Sequence, residues 1–368
     1  MDPYGADLQA CRGRQRRLLK AVAAEGLEQL VISRRESVQW LTGVNIRAPY
    51  EPLAAIDAGG RVTLVLPSRQ VNQPAAADEV IPYEEKWHST LRDVQQEPSA
   101  TALHSALKMK PNRIGCEYGS FGLHLSAGWD GATVDIEPTL FRLRRHKDPD
   151  ELRMLRHANE ANKSMYEVAR QMVRPGVNEL DVYAELYATA VKTLGEPPTY
   201  FGQDFRSGTR GGAPRDRAAQ AGELYIFDLG VGFRGYYSDN CRTLAVSGEP
   251  TDAQHKAWEA VKAIFPVVEA TIKPGASSRQ LFETVQKQLD ECLPWVFNSH
   301  LGHGVGLAPQ EGPHLNPYWD DTFAEGDFLA VEPGLYYEEQ LRHGVRLEQN
   351  YLVTASGVEL LTDWPLGM

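Results

Sequence analysis

Short apolar runs alternate with longer amphipathic stretches along most of the chain. From Leu8 to about Gly26 the spacing predicts a helix with Leu18, Leu19 and Val22 on one face. Leu30-Val31-Ile32-Ser33, Val62-Thr63-Leu64-Val65-Leu66 and Arg113-Ile114-Gly115-Cys116-Glu117 predict strands, the second entered through a Gly59-Gly60 turn. Together they describe an α/β domain of about 145 residues. Arg142, Arg144, Arg145, His146, Lys147 and Asp148 then form a polar linker into Pro149-Asp150-Glu151-Leu152, a helix start with acids in its first turn. The expected division is therefore 1–147 and 148–368. In the second part, a helical stretch from Ala158 to Val173 stops at Arg174-Pro175-Gly176. Another, from His255 to Ile272, stops at Lys273-Pro274-Gly275. Each stop is followed by a new helical pattern, Leu180, Val182, Leu186 in one copy and Leu281, Val285, Leu289 in the other. Equivalent punctuation in two places predicts a duplicated αβ unit with its site between the halves.

Several of the predicted strands carry groups that an apolar strand does not favour. Glu223-Leu224-Tyr225-Ile226-Phe227-Asp228 reads as a strand, Gly230, Gly232 and Gly235 as a turn, and Tyr236-Tyr237-Ser238-Asp239 as the start of the return strand. A carboxylate in such a strand is costly to bury without a cation or hydrogen bonds, so two on one hairpin point to a cation; exposed turn aspartates are the alternative. Leu301-Gly302-His303-Gly304-Val305 sets an imidazole between glycines. Phe328-Leu329-Ala330-Val331-Glu332 ends an apolar run on a glutamate, and Val345-Arg346-Leu347-Glu348-Gln349 places another inside a strand pattern. Four carboxylates and one imidazole suit two hard or borderline divalent ions. A pair of such ions activates water, which predicts a metal-dependent hydrolase.

Bulk properties narrow the partners. The 368 residues are 42% hydrophobic and 24% charged, enough for a large core without disulfide staples. The net charge of −11 argues against nucleic acid and anionic membranes. Cys11, Cys116, Cys241 and Cys292 form no C-x-x-C pair. The first twenty residues lack an apolar core, and no run approaches a membrane span of roughly 18 residues. A reducing cytoplasm is the default expectation.

FDLG…GYYSDNCRT, GHGVGL, VEPGLYY and GVRLEQNYLVT together resemble the metallopeptidase family of methionine aminopeptidase, aminopeptidase P and prolidase. Ser37-Val38-Gln39-Trp40-Leu41-Thr42-Gly43 and the linker Arg145-His146-Lys147-Asp148-Pro149 resemble the creatinase/prolidase N-terminal domain and its junction. The resemblance implies a "pita-bread" α+β catalytic fold with pseudo-twofold αβ duplication behind an α/β N-terminal domain. It implies Asp228 on one metal, Asp239 and Glu348 bridging both, and His303 and Glu332 completing the second, with manganese expected and cobalt or zinc possible. Glu332 is then the proton acceptor, Tyr336 a tyrosine tied to proton transfer, Arg346 an arginine beside the site and Thr243 a support for Asp239. The implied substrate is an Xaa-Pro peptide, and the implied assembly a homodimer.

The resemblance fails where histidines are expected around the metals. Those positions hold Arg215, Ser299 and Gln310, with His300 adjacent to Ser299. Imidazole exchanges protons near neutral pH, whereas arginine clamps carboxylates and glutamine only hydrogen-bonds. Arg215, Gln310 and His300 are therefore the expected substrate-binding residues, with Arg210 a further candidate for a substrate carboxylate. A same-fold hydrolase or lyase of a small non-peptide molecule and a non-catalytic binding protein remain alternative readings.

Overall fold

The computed structural model describes residues 2–85, 95–107 and 111–368. The chain forms two compact units, 1–144 and 145–368. In the first, β1 (Gln29–Ile32), β2 (Leu53–Asp57), β3 (Val62–Pro67), β4 (Glu79–Tyr83), β5 (Arg113–Cys116) and β6 (Ala132–Asp135) form one mixed sheet in the order β4-β3-β2-β1-β5-β6. Helices α1 (Leu8–Ala21), α2 (Arg35–Thr42), α3 (Gln96–Ala106), α4 (Leu123–Ser126) and α5 (Glu137–Arg144) complete the unit. β3 is buried along its whole length, which is why it reads as a continuous apolar run. Val31, Val65, Leu103 and Ile114 anchor one of the unit's apolar clusters.

The second unit opens with α6 (Pro149–Met172), whose first turn has Pro149 and the acids Asp150 and Glu151. Glu151 reaches back to the Asp148 amide at 3.0 Å. α7 (Glu179–Leu194) follows the Pro175-Gly176 stop. The counterpart of α6 is divided: α8 (Asp252–Lys262) and α9 (Phe265–Thr271) replace the single helix expected from His255 to Ile272. Pro266 has no N–H to continue the α8 ladder and sits in the first turn of α9 instead. α10 (Ser278–Leu289) then follows Pro274-Gly275. The duplication extends to the loops. Gly176 donates to the Ala219 carbonyl and Gly275 to the Phe323 carbonyl, both at 2.8 Å, and isolated bridges join Asn178 to Ala218 and Ser277 to Thr322.

Each half supplies a sheet. β7 (Tyr200–Ser207), β8 (Leu224–Phe233) and β10 (Asn240–Ala245) pair in the order β10-β8-β7, with β9 (Tyr236–Tyr237) also on β8. β11 (Gly302–Gly304), β12 (Glu311–Leu315), β13 (Phe328–Val331), β16 (Gln349–Val353) and β17 (Val358–Leu360) pair in the order β12-β11-β13-β16-β17. β14 (Gly334–Leu335) pairs with β15 (Val345–Arg346), and a short helix, α11 (Glu338–Leu341), lies between them in sequence. The two sheets are joined by Glu348 N–H to the Cys241 carbonyl (3.0 Å), Asn240 Nδ2 to the Glu348 carbonyl (2.8 Å) and Asn350 Nδ2 to the Asp239 carbonyl (2.7 Å). All four cysteines are free, and no helix among the described residues is long and apolar enough to cross a membrane.

Candidate metal centre

The hairpin carrying the two aspartates turns later than the glycine pattern predicts. β8 runs on through Gly230 and Gly232, and the turn falls at Arg234-Gly235, both with positive φ. This extension aligns the carboxylates. Asp228 faces Cys241 and Gly232 faces Tyr237, so an unbroken register sets Asp239 opposite Gly230. Residues 228 and 230 share a face by the two-residue period, which brings Asp239 diagonally beside Asp228. α6 clamps the hairpin from behind. Tyr166 donates to the Phe227 carbonyl and Asn162 to that of Leu229, both at 2.8 Å.

The other half converges on the same place. Glu332 follows β13 directly, and Glu348 lies in the break between β15 and β16 rather than inside a strand. The glycines around His303 answer to crowding. A Cβ on Gly302 would lie 2.1 Å from the Ala330 carbonyl oxygen, and one on Gly304 2.2 Å from that of Gly312. Neighbouring strands thus close tightly on both sides of the imidazole.

Asp228, Asp239 and Glu348 each offer an oxygen within 4.8 Å of the others, and His300, His303 and Glu332 form a second group of that size. His303 Nε2 lies 3.6 Å from Asp239 and 3.5 Å from Glu332, which links the two groups. His303 Nδ1 is 2.9 Å from the Gly304 carbonyl, an acceptor only, so Nδ1 carries the proton and Nε2 turns its lone pair inward. Asp228 Oδ1 and both Glu348 oxygens are buried without a hydrogen-bond partner among the described residues. Burial and mutual repulsion push Asp239 and Glu348 well above the usual carboxylate range. Burial likewise pushes Asp228 up to about 6 against the pull of Arg346. Glu332 is the exception: burial raises it, but the His300 hydrogen bond and the charges of His300, His303 and Arg346 together outweigh burial and lower it to about 2. Burial lowers His303, favouring the neutral, ligating imidazole. Orphaned carboxylate oxygens and an inward lone pair are the donor set a divalent cation requires.

The remaining expected residues are distributed around this cluster. Arg346 is buried and bonds to Asp204 while approaching Asp228 at 3.0 Å. Tyr336 is buried and packs with Ile226 and Cys241. The Thr243 hydroxyl exchanges hydrogen bonds with the Arg346 backbone at 2.8 and 3.0 Å, so its direct partner is that strand. His300 is half-buried, its Nε2 2.9 Å from Glu332 and its ring parallel to that of His303 at 5.7 Å. Arg215 is committed elsewhere. Its Nε and Nη2 donate to the buried Glu179 at 3.0 and 2.6 Å, and Nη2 also to the Ser207 carbonyl at 2.8 Å. Gln310 and Ser299 are exposed. Two residues escaped the sequence reading. Asp204 sits directly opposite Asp228 on β7, and Gln203 Nε2 donates to Asp239 at 2.7 Å. A lone acid within Tyr200-Phe201-Gly202-Gln203-Asp204-Phe205 was their only signal.

A model of metallopeptidase family M24 matches residues 153–355, and a model of the creatinase/prolidase N-terminal domain matches residues 14–146. The chain belongs to metallopeptidase family M24. An uncharacterized peptidase of Bacillus subtilis is 25% identical over 350 residues, 92% of this chain and 95% of its own length. An Xaa-Pro dipeptidase of Pyrococcus furiosus is 30% identical over 232 residues, 62% of this chain and 66% of that protein. Among solved structures, the prolidase from Pyrococcus furiosus superposes with a TM-score of 0.79 at 22% identity, covering 94% of this chain and 99% of that one. An Xaa-Pro dipeptidase from Bacillus anthracis gives 0.81 at 22% identity, covering 97% and 100%. The fold is thus a creatinase-type N-terminal domain followed in sequence by the pita-bread catalytic domain. As an M24 member, the chain is a metal-dependent hydrolase and a peptidase of that family.

Proposed function

We propose that this M24 peptidase hydrolyses the Xaa-Pro bond of short peptides using two divalent cations. The observation that carries the reading is the convergence of Asp228, Asp239, His303, Glu332 and Glu348, with buried oxygens that have no partner of their own. Relatives named Xaa-Pro dipeptidase support the substrate class. In this reading Asp228, Asp239, His303, Glu332 and Glu348 would hold the two cations between them. Bound divalent cations supply Lewis-acid activation of water and polarisation of the scissile carbonyl. Glu332 would accept a proton from the nucleophilic water, and His300, hydrogen-bonded to it, would orient the carboxylate. Arg346, 3.0 Å from Asp228, pulls it toward its ionised form against the effect of burial. Carboxylate and imidazole donors admit manganese, the expected metal, as well as cobalt and zinc. A homodimer belongs to the same reading, and sedimentation of the purified chain tests it.

The decisive experiment loads the purified chain with manganese, cobalt or zinc and offers Xaa-Pro di- and tripeptides. Cleavage before proline is expected, and its absence with every metal overturns the reading. A second reading, a same-fold enzyme acting on a small non-peptide molecule, draws on one observation. Arg215, engaged by Glu179, and the exposed Ser299 and Gln310 stand where imidazoles are expected. Peptides left intact by a metal-loaded chain that turns over non-peptide amidines or esters would favour it.

A further inference from the structure

The loop after β7 carries two arginines, Arg210 and Arg215, that the sequence offers to a substrate anion, and their surroundings differ. Arg215 already holds a carboxylate, Glu179. Arg210 is exposed, and its guanidinium has no carboxylate partner among the described residues. It is nevertheless fixed in place. Its central carbon lies 4.0 Å from the centroid of the Tyr336 ring, and Nη2 donates to Asn298 Oδ1. Asn298 Nδ2 in turn reaches the Tyr336 hydroxyl at 3.3 Å. The Val296 and Tyr336 backbones exchange hydrogen bonds at 3.0 and 2.9 Å, which sets Asn298 two residues along a pinned segment. Both anchors are neutral, so the charge is oriented without being neutralised.

Tyr336 connects this arginine to the reaction centre. It lies four residues after Glu332 and packs with Ile226 and Cys241, and Cys241 faces Asp228 across the hairpin. A planar guanidinium on an aromatic face keeps its outer N–H edge free for a bidentate anion. The centre itself is lined by carboxylates and repels anions unless a cation stands at the point of entry. The one anion that an unmodified peptide always carries is its C-terminal carboxylate. We infer that Arg210, held by Tyr336 and Asn298, reads the free C-terminal carboxylate of a short peptide substrate and so gives the enzyme a preference for acids over amides. The substrate side of this inference rests on the peptidase reading above.

The test compares the manganese-loaded wild-type chain with Arg210→Ala, Arg210→Lys and Asn298→Ala. Hydrolysis of Ala-Pro is measured against Ala-Pro-amide, and binding of proline against prolinamide by calorimetry. Circular dichroism verifies that each variant is folded. In Arg210→Ala, KM for Ala-Pro should rise about 10- to 100-fold with kcat changed far less, and proline should bind about 10-fold more weakly. The acid-over-amide preference should collapse in both assays. Arg210→Lys should restore part of it, since lysine keeps the charge but lacks the fork, and Asn298→Ala should lose a smaller part. Equal weakening of acid and amide, no weakening at all, or failure of the wild-type chain to distinguish proline from prolinamide overturns the inference. Arg210-dependent preference for proline in a chain that cleaves neither peptide would sustain the carboxylate site while removing the Xaa-Pro peptidase reading. Cleavage of Ala-Pro indifferent to Arg210 would do the reverse.

Discussion

The catalytic unit buries two groups of carboxylates and treats them in opposite ways. Glu179 and Glu223 are met by Arg215, Arg217, the Ser207 hydroxyl and backbone amides, with Arg217 Nη1 3.0 Å from Glu223. Burial raises both, but these hydrogen bonds and charges outweigh it, and both carboxyls sit below their ordinary range. Asp228, Asp239 and Glu348 face one another, and although Arg346 stands beside Asp228 and Gln203 donates to Asp239, all three are raised. The protein therefore has the means to neutralise a buried acid with arginine and does so beside β7. At the inner cluster the proposed reading assigns that compensation to a cation. A satisfied group contributes stability, whereas an unsatisfied one stores an electrostatic cost that ligand binding can recover.

That contrast can be broken most severely at the inner cluster. Asp239→Asn should lower peptidase activity by at least about a thousand-fold and weaken metal binding in calorimetry, with the fold retained. Full activity in this variant would refute the assignment of Asp239 to the centre. Next in size, Glu179→Gln should leave metal binding intact but cost about 3 kcal/mol in denaturant unfolding, because Arg215 and Arg217 lose the carboxylate they share. A loss of metal with little change in stability would put Glu179 in the wrong group.

The pH dependence should differ in sign between the two groups. Raised carboxyls hold their protons more tightly in the fold than in the unfolded chain. Metal-free protein should therefore lose stability as pH rises, from 3.8 to about 6 for Asp228 and over a higher range for Asp239 and Glu348. Glu179 and Glu223 have lowered carboxyls, so their contribution is complete above the ordinary value of 4.5 and is lost as pH falls below it. Thermal melts from pH 5 to 8 with a chelator should fall with pH, and manganese should remove the fall. Parallel curves with and without metal would contradict the comparison. The smallest effect on stability is expected in Glu348→Gln, which puts a neutral amide in place of a raised carboxyl at 1% exposure. The metal-free variant should melt a few degrees higher than the parent at pH 7 while binding metal poorly; a lower melting point would show that Glu348 is already compensated.

Much of this was readable before any fold was seen. The strands carrying Asp228 and Glu332 announce themselves because an acid at the end of an apolar run is expensive, and the Pro-Gly stops mark the duplication because proline cannot continue a helix. The sequence by itself determined which side chains could serve a cation and that two related αβ halves would present them. Tertiary structure alone decided what surrounds each charge. It set Asp204 opposite Asp228 through the β7–β8 register, moved the hairpin turn to Arg234-Gly235, gave Arg215 to Glu179 and left Arg210 on Tyr336. The reason is physical: period and propensity are local and survive in the linear text, whereas the compensation of a buried charge depends on groups brought together from distant parts of the chain.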